Sequence, residues 1–150
     1  MIEAGQSKRK INYTSIELYP IDLFTAIKLN YPEILIADRD IFIQLHDAIW
    51  EVHSTITEHF ILKKIKADIR LYEFKTKFDL IYFDAFSPKV QAELWTFEIF
   101  QKLFESMNNG GILTTYCAKG QVRRDMIKAG FTIEKLEGPG QKREITRARI

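Results

Sequence analysis

The chain has 150 residues, 46% hydrophobic and 28% charged, with a formal net charge of +2. That balance suits one globular domain, and 11 Phe, 6 Tyr and 2 Trp are too many apolar rings for a solvated coil. No run approaches the roughly 18 apolar residues of a membrane-spanning helix, the first ten residues lack the apolar core of a secretory signal, and the single Cys117 excludes an internal disulfide or a cysteine-rich zinc site. The expectation is a cytoplasmic protein holding no metal.

In chain order, residues 12–18 (NYTSIEL) read as a short β-type run that stops at Tyr19-Pro20. Asp22 can cap a helix whose apolar face is Leu23, Phe24, Ile27 and Leu29, and Tyr31-Pro32 disfavours its continuation. Residues 40–50 suit another short helix, and residues 51–66 read as two strands joined by a turn. The clearest element is residues 78–84, FDLIYFD, an almost unbroken apolar run of the kind found in parallel sheets covered on both faces. Residues 96–107 carry apolar side chains at Phe97, Phe100, Leu103, Phe104 and Met107, a helical stripe, and Asn108-Asn109-Gly110-Gly111 is expected to stop that helix. A second buried strand over 112–117, a helix over 121–129 closed by Gly130, a third strand over 131–136, a turn at Gly138-Pro139-Gly140 and a returning antiparallel strand over 143–149 complete the chain.

The alternation of strands and helices with short loops predicts one α/β domain over residues 1–150, built on a mainly parallel sheet with a C-terminal antiparallel strand. Charge divides along it. Residues 119–150 hold nine basic and four acidic residues, a local +5 that leaves −3 for residues 1–118. A basic end can meet phosphates, although on charge alone a solvated face is the commoner arrangement.

Ligands of a doubly wound sheet lie outside the carboxyl ends of its strands, where this sequence puts Glu17, Asp68, Asp84, Tyr116 and Cys117. A carboxylate there can take both hydroxyls of a ribose. Glu17 is equally readable as a surface acid, and Asp68 as a helix cap. Asp84 stands out, because a carboxylate ending so apolar a strand is costly to desolvate without a partner; its plainer reading is a turn acid beside Pro88. Phe86 and Trp95 either stack on a base or fill the core, the commoner fate of aromatics. His46, His53 and His59 have no metal-ligand spacing and none is placed as a base for Cys117, which reads as a small buried hydrophobe.

Four blocks in one order carry a resemblance. They are Asp84-Ala85-Phe86-Ser87-Pro88 with Trp95, then Val122-Arg123-Arg124, then Ala129-Gly130-Phe131, then Gly138-Pro139-Gly140-Gln141-Lys142-Arg143-Glu144. Residues 78–147 closely, and 12–77 more loosely, resemble the tRNA 5-methylaminomethyl-2-thiouridine methyltransferase family. The resemblance implies a class I, Rossmann-like methyltransferase fold, S-adenosylmethionine as cofactor, and methylation of the aminomethyl nitrogen on the wobble uridine of tRNA. It implies that Glu17 holds the cofactor ribose, that Asp68 and Ile69 meet the adenine, and that Asp84 lies beside the transferred methyl and the acceptor amine. It sets Phe86, Lys119, Arg123, Arg124, Lys142 and Arg143 on the tRNA side. In some bacteria such a domain is fused to an FAD-dependent oxidase, so a separate oxidase acting earlier is an implied partner.

The family's first strand runs into a glycine-rich loop of the form glutamate–x–glycine–x–glycine–x–glycine. Only Gly5 precedes Glu17 here, so that strand and loop are expected to be absent, with residues 1–10 corresponding to the last turn of the following helix. Two alternatives to the enzyme therefore stay open: a non-catalytic tRNA-binding remnant, and a methyltransferase of the same fold with another amine acceptor.

Overall fold

In a computed structural model of the chain, residues 9–138, 140 and 144–150 are described. The expected helical turn falls mostly on residues 1–8, outside the described residues, as do Pro139, Gln141, Lys142 and Arg143. The chain forms two compact units, residues 1–72 and 73–150, and each is taken by itself.

The first unit holds a three-stranded sheet of order β1-β3-β2, made of β1 (Ile11–Glu17), β2 (His53–Thr57) and β3 (Phe60–Lys66). β1 runs parallel to β3 in continuous register from Ile11 opposite Phe60 to Glu17 opposite Lys66, and β2 pairs antiparallel with β3 as the expected hairpin. Between β1 and β2 lie three helices, α1 (Leu23–Ala26), α2 (Tyr31–Leu35) and α3 (Arg39–Asp47). The Asp22 carboxylate accepts from the Thr25 amide at 2.7 Å and starts α1 as expected. α1 does not continue into Tyr31-Pro32, as expected, and ends at Ala26, short of Leu29; Tyr31-Pro32 begins the separate helix α2, because proline in a first turn lacks only an amide that would have no helical partner. Phe60, Leu62 and Ile65 of β3 and Ala26 of α1 are buried.

The second unit holds a four-stranded sheet of order β4-β5-β7-β6, made of β4 (Phe78–Tyr82), β5 (Met107–Thr115), β6 (Thr132–Glu137) and β7 (Glu144–Arg149). β4 is parallel to β5, and β7 pairs antiparallel with both β5 and β6. Three strands thus point one way and the C-terminal strand points back, as expected. Helix α4 (Phe97–Glu105) links β4 to β5 and α5 (Gly120–Lys128) links β5 to β6. Phe100 and Leu103 of α4, Leu113 of β5 and Met126 of α5 are almost wholly buried and form the centre of this unit's core.

One boundary differs. α4 does end at Ser106, but residues 108–111 belong to β5 rather than to a loop. Gly110 adopts φ +76° and the β4–β5 register slips between Phe78 and Leu80, so the Asn-Asn-Gly-Gly stretch is absorbed as a bulge. β1 and β4 are each edge strands of their own sheet, and β4 leaves Leu80 and Tyr82 exposed.

Candidate functional site

In the second unit, parallel β4 and β5 deliver their carboxyl ends to one edge of the sheet. The ladder continues one residue past β4, where the Phe83 amide donates to the Thr114 carbonyl at 2.9 Å. Phe83 is buried and Asp84, the next residue, is exposed. Asp84 therefore lies at the carboxyl end of β4, as expected, but in solvent, so the desolvation cost that made it stand out in the sequence is not incurred. Beyond it, the Val90 and Gln91 amides close a turn on the Ser87 carbonyl at 2.8 and 2.9 Å.

The aromatic residues of this region divide sharply. Trp95 is buried, with Phe83 edge-on at 5.1 Å and Tyr116 edge-on at 6.0 Å between ring centres. Phe86 is 72% exposed, so of its two readings the core one does not hold. Tyr116, directly after β5, donates its hydroxyl to the Ala85 carbonyl at 2.8 Å, and the Trp95 indole N–H donates to the Phe86 carbonyl at 2.7 Å. Burial, then the Cys117 thiol and the Asp84 carboxylate nearby, push the Tyr116 phenol pKa up, so the hydroxyl stays a donor. These two bonds escaped the sequence reading because a main-chain acceptor leaves no residue-type signature. Cys117 is buried, as expected.

α5 opens next to this edge. Lys119 and Arg124 are exposed, and Arg124 donates to the Gln121 side chain at 2.8 Å. Arg123 points elsewhere. Its guanidinium donates to Glu144 at 2.9 Å and to the Thr146 hydroxyl at 3.0 Å, and its side chain is only 11% exposed.

In the first unit, parallel β1 and β3 bring Glu17 and Asp68 to their common carboxyl edge, and the Ala67 amide donates to the Glu17 carbonyl at 3.2 Å. Glu17 is exposed and one carboxylate oxygen accepts from the Tyr19 amide at 2.8 Å. A carboxylate has about four acceptor positions, so this geometry fits a ribose diol. Asp68 is differently placed. Its two oxygens take the Arg70 amide and guanidinium, with a closest approach of 2.5 Å. That pair fixes the loop leaving β3, where Ile69 is half-buried, and an adenine contact by Asp68 would have to share its carboxylate with Arg70. Among the described residues no cluster of three metal-ligating side chains occurs and no helix is long and apolar enough to cross a membrane.

Comparison with known proteins places this arrangement. The chain is 29% identical over 151 aligned residues to the tRNA 5-methylaminomethyl-2-thiouridine biosynthesis bifunctional protein MnmC of Pseudomonas putida strain W619, with 95% of this chain and 23% of that protein covered. It is 44% identical over 72 residues to the protein of the same name from Cupriavidus metallidurans, covering 48% of this chain. The chain thus spans about a quarter of the length of the curated relatives it matches. Among solved structures, MnmC2 from Aquifex aeolicus superposes with a TM-score of 0.71 at 25% identity, over 93% of this chain and 43% of that one. A methyltransferase from Pyrococcus furiosus shares the fold, with a TM-score of 0.52 at 13% identity over 93% of this chain and 62% of that one. The fold is therefore the α/β fold of class I methyltransferases. A family of S-adenosyl-L-methionine-dependent methyltransferases matches residues 42–150, a span that takes in Asp84, both arginines of α5 and every strand of the second unit, and the chain belongs to that family.

Proposed function

We propose that the protein methylates the aminomethyl nitrogen on the wobble uridine of tRNA, converting 5-aminomethyl-2-thiouridine to 5-methylaminomethyl-2-thiouridine. The observation that carries this reading is the position of Asp84: an exposed carboxylate at the end of an apolar strand, followed by a ring, Phe86, turned to solvent. The names of the relatives supply the substrate class.

When bound, S-adenosylmethionine would supply an electrophilic methyl group to a neutral acceptor amine, the S–C bonding pair staying on sulfur and the new ammonium losing one proton. Asp84 accepts a hydrogen bond from the acceptor amine, holds its lone pair in line and draws off that proton. Phe86 stacks on the exposed base. Glu17 takes the cofactor ribose, and Asp68 and Ile69 lie toward the adenine. Lys119 and Arg124 meet tRNA phosphates, as do Lys142 and Arg143; Arg123 holds α5 to β7. An FAD-dependent oxidase acting earlier, and a cytoplasmic setting, belong to the same reading.

The test is methyl transfer to tRNA bearing 5-aminomethyl-2-thiouridine. Asp84→Asn is expected to lower turnover about 10²–10⁴-fold, the usual weight of a positioned acid–base group, while calorimetry with S-adenosylmethionine stays unchanged. Undiminished turnover in that variant refutes the role of Asp84. A wild-type chain that binds tRNA but transfers no methyl favours the non-catalytic alternative.

A further inference from the structure

We propose that Trp95 and Tyr116 are positioning residues that clamp the loop carrying Asp84 and Phe86. The inference rests on the methyltransferase reading above and adds to it the parts that set the loop's shape.

Residues 84–86 form a three-residue link between the end of the β4 ladder at Phe83 and the turn closed on Ser87. Two of its three carbonyls are held by side chains: Ala85 by the Tyr116 hydroxyl at 2.8 Å and Phe86 by the Trp95 indole N–H at 2.7 Å. The donors come from separate elements. Trp95 follows the 3₁₀ turn Ala92–Leu94, and Tyr116 follows β5. Their rings meet edge to face, and Trp95 is seated between Phe83 and Phe100, at 5.1 and 6.4 Å. Each donor is thus fixed by packing before it fixes the loop.

The consequence is geometric. Fixing these two carbonyls restrains the peptide planes on either side of Phe86. With the ladder bond at Phe83 before it, the backbone is anchored on both sides of Asp84 and at Phe86, which limits how far the loop can shift; an in-line transfer needs this, since reacting groups must be held at near-attack distance. Neither donor has to touch substrate to do this.

Tyr116→Phe and Trp95→Phe each remove one hydrogen-bond donor and keep an aromatic ring. Both are to be made in the full 150-residue chain. Chymotrypsin cleavage after exposed Phe86, followed by mass spectrometry, reads the loop directly. The expected result is cleavage about tenfold faster in each variant, measured without urea where that variant's own denaturation curve shows it folded, together with a kcat about tenfold lower and a KM for S-adenosylmethionine within twofold of the wild type. Unchanged cleavage in both variants overturns the clamp. Faster cleavage with kcat intact overturns its positioning role. If the wild-type chain transfers no methyl group, the functional reading falls by itself, while the cleavage rates still decide whether the two donors hold the loop.

Discussion

Arg123 on α5 closes on Glu144 of β7 at 2.9 Å, across 21 residues of sequence. The same guanidinium reaches the Thr146 hydroxyl, which donates in turn to the Cys117 carbonyl at 2.8 Å. A cation that sequence alone offers to a phosphate is thus the middle of a relay joining helix, strand and the β5 terminus. Its neighbour Arg124 is exposed. The two should behave oppositely. Arg123→Ala is expected to cost about 1–3 kcal/mol of stability, the weight of a charged hydrogen bond whose partners are left behind. Arg124→Glu should leave the urea midpoint within error and weaken tRNA binding, with a shallower salt dependence. Paired denaturation and filter-binding measurements check both.

Glu17 ends β1 with one carboxylate oxygen on the Tyr19 amide. Glu17→Gln keeps the size and one acceptor but loses the charge that makes a two-hydroxyl contact strong. Calorimetry should show S-adenosylmethionine affinity falling about tenfold, with no change in the melting temperature of the free chain.

Gly130 follows α5 with φ +112°, and a Cβ built there would lie 2.8 Å from the Phe104 ring, which packs edge-on against Phe131 at 5.0 Å. Gly130→Ala therefore meets backbone strain and a ring clash together. The expected loss is about 1–3 kcal/mol, read as a lowered denaturant midpoint with the slope unchanged.

Lys64 is buried in β3, donates to the His46 carbonyl at 2.6 Å and lies over the Trp50 ring at 4.8 Å. Burial pushes its ammonium pKa below the ordinary 10.5, and the Asp47 carboxylate partly offsets this. With the folded pKa below the unfolded one, the unfolded chain binds more protons in the interval between them. Stability contributed by Lys64 should therefore rise with pH through that interval and level off above 10.5. Lys64→Met removes the effect. Denaturation series of the two proteins from neutral pH upward should converge or diverge only within that window.

Much of this was legible in the sequence wherever one residue type decides a local event. The Asp22 cap and the existence of the FDLIYFD strand were such events, but the cover expected on both faces of that strand is missing, since Leu80, Tyr82 and Asp84 are exposed. What was missed lay where one residue carries two signals. Pro32 marks a break from the preceding helix, as read, and also opens α2, which only its position in a first turn could reveal. Asn108 to Gly111 read as a helix stop and were that, yet the β4–β5 pairing resumes on both sides of them, at Met107 and Ile112, and takes them into β5 as a bulge. What pattern could not supply was the partner of a charge. Arg70 takes Asp68 from two residues away and Glu144 takes Arg123 from 21. Nothing in residue type separates a guanidinium committed to a carboxylate from one left for phosphate.

The sheet order β4-β5-β7-β6 has a bearing on synthesis. In that sheet β6 pairs only with β7, and β7 lies between it and β5. A nascent chain that has emerged as far as Glu137 holds β6 with nowhere to dock in this sheet. This sheet is therefore complete only once residues 144–149 have been made, and until then β5 carries an unpaired edge.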